Sequence, residues 1–422
     1  MTTPQSNLSQ VKDFLSYLAT VRGDLSNITA PPFVLSPKSV TEIPASWAER
    51  HELFLQPARE DDPARRALLV LKNFLCSLKR QVYAAAASDG DSGEEDGGTK
   101  KPLNAFLGEL FLGTFESKDS SATQLICEQV SHHPPVTACF LYNKAHGISS
   151  SGYVAQETTF SPLSGVRVKQ IGHAIIRDEI HGESHLMTLP TMVIKGLLIG
   201  QPYPELEGTC YVSSSSGYLA TIDFEGRSTL GRRAKNNVHA EVSNIRDGGK
   251  VLFEVDGQWN GLLTIVNGLN GKEIESFDVD DEPVAEIRTN RVDEQNPWES
   301  RRAWRKVVEG ITIGDMHVVG DEKKKIEDAQ REMRATEEKA GIEWPRLFFH
   351  NLDDDSQEFT LLAKTITDEA VRDLNPEQTA GVWKFIGVGA AEALLSDGVY
   401  HTSLEPTGQI TNGWVTSDIS GL

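Results

Sequence analysis

Cysteine is scarce in this sequence. The four cysteines among 422 residues are Cys76, Cys127, Cys139 and Cys210, and no two of them form a C-x-x-C pair. Four cysteines in a chain this long do not suggest a disulfide framework. Isolated cysteines of this kind are typical of proteins in a reducing compartment, which predicts a cytoplasmic protein.

Positive charge is scarce as well. The chain has 41 Lys and Arg residues against 61 Asp and Glu residues, a formal net charge of −20 at pH 7. Proteins bind nucleic acid by neutralising its phosphates with Lys and Arg, so the overall charge argues against nucleic acid and against loose adhesion to anionic membranes. A phosphate or an anionic lipid would need a local basic pocket on an acidic background.

Long apolar runs are missing. One of the most apolar stretches, residues 192–200, contains Lys195. It is far shorter than the roughly 18–20 residues that a helix needs to span a bilayer. The N-terminal sequence MTTPQSNLSQ has neither the basic nor the apolar region of a signal peptide. The sequence therefore predicts a protein that visits membranes without crossing them.

Two amphipathic helices are predicted in the N-terminal part. Residues 8–21 have apolar side chains at helical spacing, with Asn7 as a cap, and residues 64–84 have a second apolar face. The acidic, Gly- and Ser-rich run at 88–99 has no apolar residue to anchor it, so it is expected to be a disordered surface loop.

The pattern changes to short β-prone segments between about residues 106 and 290. Turn-forming residues separate these segments, and many short strands at such spacing predict a large antiparallel sandwich or barrel. The expected fold class is therefore mainly β with helices, α+β. Examples of the predicted strands are residues 137–142, 166–171, 186–194, 209–212, 219–224 and 251–254.

A charged helix is predicted at about residues 321–340, with too few apolar residues for a buried helix. Its residues Lys323, Glu327 and Arg331 are spaced i, i+4, i+8 and so lie on one face. Such a row can clasp phosphates, or it can form an exposed salt-bridge ladder worth a few tenths of a kcal/mol per pair. The residues alone leave both interpretations open.

The most informative segment is EQVSHHPP at residues 128–135. Pro134 restricts His133 to an extended conformation, so the segment is expected to be extended and stiff. Such a backbone would hold the imidazoles of His132 and His133 ready to donate hydrogen bonds to a phosphate. A purely structural role for the pair is the alternative.

A metal or catalytic role for this histidine pair has less support. Cys127 and Cys139 flank the pair, but their spacing is not a usual zinc pattern. The sequence contains no G-x-S-x-G, H-E-x-x-H or P-loop motif, so nothing supplies the histidines with a nucleophile. A metal-dependent hydrolase remains the alternative from a different functional class.

EQVSHHPP resembles the fingerprint of the oxysterol-binding protein family, and further segments resemble family segments in the same order. The resemblance covers about residues 8–350 and is strongest to the short fungal members that consist of the lipid-binding domain alone. No pleckstrin-homology domain or ankyrin repeat is expected before Asp13. The further segments are GDLSNITAPPFVLSP (23–37), SWAERHELF (46–54), KKPLNAFLGELF (100–111), VKQIGH (168–173), ELEGTCYV (205–212), NPWESRRAW (296–304) and EKKKIEDAQREMR (322–334).

The resemblance implies a large, near-complete antiparallel β-barrel around a lipid tunnel. An N-terminal amphipathic lid helix would close the tunnel, and a C-terminal helical subdomain would follow the barrel. The final residues do not continue the family pattern and are expected to be loosely ordered. The implied parts are a lid (1–30), a helical segment flanking the tunnel (31–87), the acidic loop (88–100), the barrel (101–295), a C-terminal subdomain with the charged helix (296–385) and a divergent tail (386–422).

The resemblance also implies two sets of binding residues, and it implies no catalytic residue, metal or cofactor. A phosphoinositide headgroup would bind at the tunnel mouth to Lys101, Asn104, His132, His133, Lys323, Glu327 and Arg331. Sterol or acyl chains would contact Leu25, Ile28, Val34, Val40, Trp47, Gln81 and Gln170.

The chain departs from the family at Val82 and Val154, where sterol-binding relatives carry a Tyr and an Asn near the sterol hydroxyl. A hydroxyl left without partners costs about 1–3 kcal/mol. The segment TAPPF at 29–33 is nevertheless more similar to the lid of sterol-binding members than to that of members that carry phosphatidylserine.

The function implied by the resemblance is lipid transfer rather than catalysis. A sterol (ergosterol or cholesterol) and phosphatidylinositol 4-phosphate would be exchanged between membranes through one shared, lidded tunnel. The protein would be a monomer that contacts membranes of the endoplasmic reticulum or Golgi type transiently. Transfer of another lipid, such as phosphatidylserine, against the phosphoinositide is the alternative within the class.

Overall fold

The computed structural model of the chain describes residue 20 and residues 34–83, 100–162, 164–197, 202–224, 235–352, 356–398, 400 and 405–407. The predicted lid at 1–30, apart from residue 20, and the predicted acidic loop at 88–99 lie outside the described residues, as do Leu25 and Ile28. Among the described residues, no helix has both the length and the apolar character to cross a bilayer.

Most of the described chain belongs to one large antiparallel sheet. Strands β1 (Leu35–Ser39) and β2 (Lys101–Leu103) form a separate parallel pair, and the fourteen strands that follow belong to the large sheet. These are β3 (Leu110–Glu116), β4 (Ala122–His132), β5 (Pro135–Asn143), β6 (Ile148–Ser161), β7 (Gly165–Asp178), β8 (Glu183–Met187), β9 (Thr191–Lys195), β10 (Tyr203–Glu207), β11 (Thr209–Ser214), β12 (Tyr218–Asp223), β13 (Asn237–Asn244), β14 (Lys250–Gln258), β15 (Leu262–Asn267) and β16 (Glu273–Asp278).

The strand order is largely that of the sequence, β16-β15-β14-β13-β12-β11-β8-β7-β6-β5-β4-β3, with β9 and β10 branching from β7. The predicted α+β class with a large antiparallel body is confirmed. Strands β3 and β16 are the two edges and do not pair with each other in the described residues, so the sheet is a near-barrel rather than a closed one. The chain at Arg288 covers the β3 edge, since its backbone exchanges two hydrogen bonds of 2.8 Å with Thr114.

The single strand predicted at 186–194 is in fact two strands, β8 and β9, and the prediction was wrong there. Pro190 lies in the break between them and has no N–H to donate to a neighbouring strand. The two pieces pair with different parts of β7, β8 with residues 174–178 and β9 with residues 166–168.

The two faces of the sheet build two different cores. On β4, Leu125 and Cys127 belong to the inner core, whereas Ile126 between them belongs to the outer core. On β5, Leu141 faces inward and Phe140 outward. Because successive strand residues point to opposite faces, a sheet buried on both sides needs apolar residues in succession, which explains the continuous apolar run at 138–142.

Helix α2 fills the inner core. Its bounds, Pro63–Tyr83, match the helix predicted at 64–84. The side chains of Leu71 and Phe74 on its apolar face have no exposed surface. The short helix α1 (His51–Leu55) and the 3-10 helix Val40–Trp47 pack against α2, and the Trp47 ring centre lies 6.0 Å from that of Phe74.

The C-terminal elements cover the outer face of the sheet. The Phe385 ring stacks on Phe140 of β5 at 3.8 Å, which fixes this layer to the sheet. A smaller third cluster forms around Phe359. The elements are α3 (Ser300–Ala303), α4 (Arg305–Ile313), α5 (Met316–Ala340), β17 (Phe349–Leu352), α6 (Gln357–Ala363), α7 (Glu369–Arg372), β18 (Val382–Phe385) and α8 (Val388–Asp397).

The charged helix α5 starts earlier than predicted and is not fully exposed. It begins at Met316 because the Asp315 side chain accepts from the backbone N–H groups of the first turn. The expectation that it has too few apolar residues for burial was wrong. Val319, Ile326 and Met333 are each buried, and their seven-residue spacing gives a narrow apolar strip that faces the outer core.

The predicted loose tail at 386–422 is ordered in its first part, which corrects the expectation. Helix α8 packs through Ala391, which has no exposed surface, and the buried ring of Tyr400 lies 6.0 Å from that of Phe348. Small residues such as Ala391 let a helix approach a core closely without a strong apolar pattern. Residues 408–422 lie outside the described residues.

Candidate functional site

The histidine pair lies at the tip of the β4–β5 hairpin. His132 ends β4 and pairs with Pro135 at the start of β5, while His133 and Pro134 form the turn between them. The prediction of an extended segment therefore holds for His132 and Pro135 but not for the two turn residues, whose shared peptide bond is cis. The two imidazole rings are 4.6 Å apart in an edge-to-face arrangement.

His132 is half-buried, and its tautomer follows from its contact. Its Nδ1 lies 3.1 Å from the carbonyl oxygen of Ala105. A carbonyl only accepts, so Nδ1 carries a proton and Nε2 is the atom available to a ligand. Burial lowers the pKa of His132, and the charges of His133 and Arg334 lower it further, whereas Glu327 and the Ala105 carbonyl raise it.

Lys101 and Asn104 belong to the segment that leads to Ala105. Lys101 begins β2, where it pairs with Leu35 of β1, and Asn104 directly precedes the residue whose carbonyl holds His132. Both side chains are half-buried. The Ala105 carbonyl, directly after the KKPLN segment, is thus the contact that joins this segment to the histidine hairpin.

The predicted row on α5 is present and internally paired. Lys323, which is only 7% exposed, donates to Glu327 Oε1 at 2.5 Å, and the exposed Arg331 lies 3.8 Å from Glu327 Oε2. Arg331 also pairs with Asp328. The helix that carries the row packs its apolar strip into the same outer core as Val130 and Val136 of the hairpin strands. The structure shows these residues as a salt-bridge ladder, and the same side chains could instead bind a phosphate.

Glu128, the first residue of the octapeptide, anchors the hairpin strand, a role that the sequence reasoning missed. Its side chain has no exposed surface, and its two oxygens accept from the backbone N–H groups of Leu347 and Phe348 at 2.8 Å each. Burial raises the pKa of Glu128 to about 7 although these N–H groups oppose the change. The available signal was a lone carboxylate in the strand sequence LICEQV.

Glu109 plays a similar role in the KKPLNAFLGELF segment. Its carboxylate, which has no exposed surface, accepts from Thr41 Oγ1 at 3.0 Å and from Trp304 Nε1 at 2.8 Å, and also from Ser39. Burial raises the pKa of Glu109. The carboxylate therefore ties the segment that carries Lys101 to the 3-10 helix and to the start of α4.

Three of the predicted tunnel residues are on elements that face the inner core. Trp47 is 7% exposed, and its carbonyl accepts from Asn73 of α2 at 3.2 Å. Gln81 lies about two turns beyond Phe74 on α2 and is half-buried. Gln170, on the inward-facing register of β7, donates to the Pro190 carbonyl at 3.1 Å.

The remaining predicted tunnel residues are distributed differently. Val40 begins the 3-10 helix that ends at Trp47. Val34 packs against the outer core, so the structure does not bring it together with Trp47. Leu25 and Ile28 lie outside the described residues.

Val82 and Val154 both contact the inner core, Val82 as a buried residue and Val154 as a half-buried one. Near them, Tyr83 stacks on Trp259 with ring centres 6.2 Å apart. The Trp259 indole N–H is buried without an acceptor among the described residues. No sequence signal pointed to this donor, because a single tryptophan at a strand end has no distinctive pattern.

Two arginines that the sequence reasoning missed belong to the C-terminal elements, and one of them contacts the hairpin. Arg346 donates from Nε to the Val130 carbonyl of β4 at 3.0 Å. The Arg334 guanidinium lies 4.6 Å over the Trp344 ring. Arg346 therefore adds positive charge two residues before the histidine pair, on a chain whose net charge is −20.

Comparison with known proteins gives a consistent result. A family model described as oxysterol-binding protein matches residues 14–310. Protein KES1 of Mycosarcoma maydis is 40% identical over 83% of this chain and 90% of its own length. The probable transporter efuK of Hormonema carpetanum is 41% identical over 92% of this chain, which spans 54% of the length of that relative.

Solved structures show the same fold at lower identity. The ORD domain of Osh1 in complex with cholesterol has a TM-score of 0.66 at 20% identity, over 91% of this chain and 88% of that one. The ORD of Osh3 from Saccharomyces cerevisiae in complex with PI(4)P has a TM-score of 0.64 at 19% identity, over 94% of each chain.

Proposed function

This chain belongs to the oxysterol-binding protein family, and on that premise we propose that it is a lipid-transfer protein. It carries a sterol and phosphatidylinositol 4-phosphate in turn through one shared interior, and each lipid excludes the other. No chemical step is needed. The observation that carries the proposal is the cluster of imidazole and basic groups around His132 on a chain of net charge −20.

The headgroup half of the proposal rests on the hairpin tip. His132 presents Nε2, and His133 is exposed beside it. Phosphate accepts several charge-assisted hydrogen bonds, so it suits two imidazoles together with an ammonium. Lys101 and Asn104 come from one segment, and Lys323, Glu327 and Arg331 from α5, so three distant parts of the chain would close on one headgroup.

The sterol half rests on the inner face of the sheet. Trp47, Gln81 and Gln170 border an apolar interior and offer one ring and two amides to a ligand with a single hydroxyl. Structures of relatives with cholesterol and with PI(4)P support the pairing of these two ligands. The lid at 1–30 would cover the ligand and reach the bilayer when it opens.

One observation favours a different second lipid. Val82 and Val154 line the inner core where a sterol hydroxyl would otherwise find two polar partners. A lipid with its own polar headgroup at the tunnel mouth would not need those partners. Phosphatidylserine is therefore the second candidate, exchanged against the same phosphoinositide.

The boundaries of the parts are proposed as the resemblance implied them, from a lid at 1–30 to a tail at 386–422, with the correction that the tail includes α8. We also propose that the protein contacts membranes of the endoplasmic reticulum or Golgi type transiently.

Extraction from liposomes tests the proposal. Liposomes that contain a fluorescent sterol, phosphatidylinositol 4-phosphate or phosphatidylserine are incubated with the full chain, and the lipid removed is measured. We expect removal of both sterol and phosphoinositide, with each competing against the other. Removal of phosphatidylserine in place of sterol would support the second candidate. A protein that removes none of the three lipids would contradict lipid transfer.

A further inference from the structure

Strand β4 has a β-bulge just before the histidine pair. In its pairing with β5, Gln129 lies opposite Thr137, and the next pair joins Ser131 to Val136. Between these pairs β4 advances by two residues and β5 by one, so Val130 is an extra residue without a partner in the ladder. A bulge of this kind bends the strand and redirects the side chains that follow it.

The bulge determines how the hairpin ends. With it, His132 pairs with Pro135, and the two residues His133 and Pro134 form the turn. If the register at Gln129 continued without a bulge, His132 would lie opposite Pro134, and a single residue would have to form the turn. Hairpins are most often closed by turns of two residues. Because side chains alternate between faces, a shift by one residue also moves the His132 ring to the other face.

The hydrogen-bond partner of His132 is fixed on the other side of the bulge. The backbone of Gln129 pairs with the segment that carries Ala105, since it accepts from Gly108 and donates to Glu109 at 2.9 Å each. Ala105 therefore keeps its place relative to Gln129, whereas His132 follows the bulge. The contact of 3.1 Å between His132 Nδ1 and the Ala105 carbonyl thus depends on the bulged register.

Arg346 contacts the bulge directly. Its Nε donates to the carbonyl oxygen of Val130 at 3.0 Å. Val130 has no exposed surface, so water does not replace this donor. A buried carbonyl without a donor is unfavourable, and the contact with Arg346 therefore stabilises the bulged register relative to a regular one.

The C-terminal elements hold Arg346 in place. Its side chain is 18% exposed, and its Nη1 donates to Glu343 and to the Trp344 carbonyl, the latter at 2.9 Å. The guanidinium lies 5.3 Å over the Trp383 ring of β18. These contacts come from two separate parts of the C-terminal layer, so the Nε–H group has a fixed position relative to β4.

We infer that Arg346 is a positioning residue of the headgroup site. Through the Val130 carbonyl it stabilises the bulge, and the bulge places His132 so that Nδ1 meets the Ala105 carbonyl and Nε2 is left for a ligand. Arg346 acts through the backbone and does not touch the headgroup. The inference rests on the proposed phosphoinositide function and adds a residue to that site.

Three substitutions separate the hydrogen bond of Arg346 from its charge. Arg346→Gln keeps an N–H donor at the position of Nε but has no charge. Arg346→Met has neither a donor nor a charge. Arg346→Lys keeps the charge, but a methylene replaces Nε and the ammonium is one atom farther along the side chain. Arg302→Met is the matched control, because Arg302 donates to the carbonyls of Asp293 and Gln295, which do not belong to β4.

Histidine side-chain NMR on the full chain tests the positioning without any lipid. In the wild type, the neutral ring of His132 should be the Nδ1–H tautomer, because Nδ1 donates to the Ala105 carbonyl. Arg346→Gln and Arg302→Met should keep this tautomer. Arg346→Met and Arg346→Lys should show a mixture of both tautomers, since the contact with Ala105 is weakened. An unchanged tautomer in Arg346→Met would overturn the inference whatever the protein binds.

Liposome extraction tests the consequence for binding. Removal of phosphatidylinositol 4-phosphate should be weakened roughly tenfold in Arg346→Met and Arg346→Lys, the effect of one misplaced charge-assisted hydrogen bond. Arg346→Gln and Arg302→Met should behave as wild type, and sterol removal should not change in any variant. If Arg346→Lys behaves as wild type and Arg346→Gln is defective, the guanidinium acts by its charge and the inference is wrong. Equal loss of both lipids in Arg346→Met, with altered thermal unfolding, would show a structural role and contradict it as well.

The two arms separate the failures. If the wild type removes no phosphoinositide while the His132 tautomer still changes in Arg346→Met, the proposed function is wrong and the positioning stands. If the wild type removes phosphoinositide and all three Arg346 variants match it, the function stands and the inference fails. A loss in Arg302→Met as large as that in Arg346→Met would show that the contact with the bulge has no special role.

Discussion

The inner core around Phe74 and the hairpin tip at His132 differ in burial and in charge. Phe74 lies in the inner core with no exposed surface, among apolar neighbours supplied by α2 and the inward side of the sheet. His132 lies at a hairpin tip, half-buried among charges that are only partly paired. A change in the first region should therefore act through packing on both ligands, and a change in the second should act on one ligand and spare the fold.

Replacing both histidines should give the largest difference between the effects on the two ligands. In the double variant His132→Ala, His133→Ala, two charge-assisted contacts are lost, each worth about 1.5–3 kcal/mol. We expect removal of phosphatidylinositol 4-phosphate from liposomes to fall below detection while sterol removal and thermal unfolding are nearly unchanged. His350→Ala, at an exposed histidine on β17, is the control. Equal loss of both lipids would mean that the pair is structural.

Phe74→Ala tests the opposite region. Truncating a fully buried phenylalanine leaves a cavity and costs about 3–5 kcal/mol. Urea unfolding should show this loss, and removal of both lipids should decline together. Leu361→Ala, at a residue that is 63% exposed, should stay within about 0.5 kcal/mol of wild type. If Phe74→Ala lost the removal of only one lipid, the expectation that the inner core affects both ligands alike would be wrong.

Lys100→Ala is the matched control for Lys101→Ala. Pro102 biases Lys101 to an extended conformation, and Lys101 is half-buried whereas Lys100 is exposed. One lost charge-assisted contact, about 1.5–3 kcal/mol, should weaken phosphoinositide removal at least tenfold and affect sterol less. If the two variants behave alike, general surface charge is responsible and Lys101 is not part of the site.

A gradual effect, spread over pH, is expected at Glu128. Burial raises the pKa of Glu128 in the folded chain from its ordinary 4.5 to about 7. Between these values the unfolded chain has released the proton and the folded chain keeps it. Stability from this group therefore falls as pH rises, by at most about 1.4 kcal/mol per unit.

Urea unfolding of the wild type and of Glu128→Gln, compared at several pH values, measures this dependence. Glutamine does not ionise, so the difference in unfolding free energy between the two proteins should change between pH 4.5 and 7 and be constant above. A difference that is constant throughout would show that Glu128 ionises normally in the folded state.

Several features could be predicted from the sequence because they depend on local pattern. The bounds of α2 differ from the prediction by one residue at each end, since Pro63 and the apolar face mark them. The short β-prone segments predicted an antiparallel body, which is confirmed. The split at Pro190 was missed, although a proline inside a predicted strand was the available signal.

The binding residues were predicted only through the family resemblance. The spacing of Lys323, Glu327 and Arg331 placed them on one face, but their own pattern did not distinguish a phosphate clasp from a ladder. Arg334 and Trp344 were not singled out, because neither a lone arginine nor a lone tryptophan has a periodic signal.

What the sequence by itself determined is local: the strand and helix patterns, the acidic charge, and the stiff hairpin sequence with its two histidines. The tertiary structure decided which distant segments meet. Ala105 and His132 come together, and the hairpin and α5 share the outer core, because the buried carboxylates of Glu109 and Glu128 hold the connecting chains there. Such contacts join residues far apart in sequence, so packing and burial decide them, and a period of two or 3.6 residues carries no information about them.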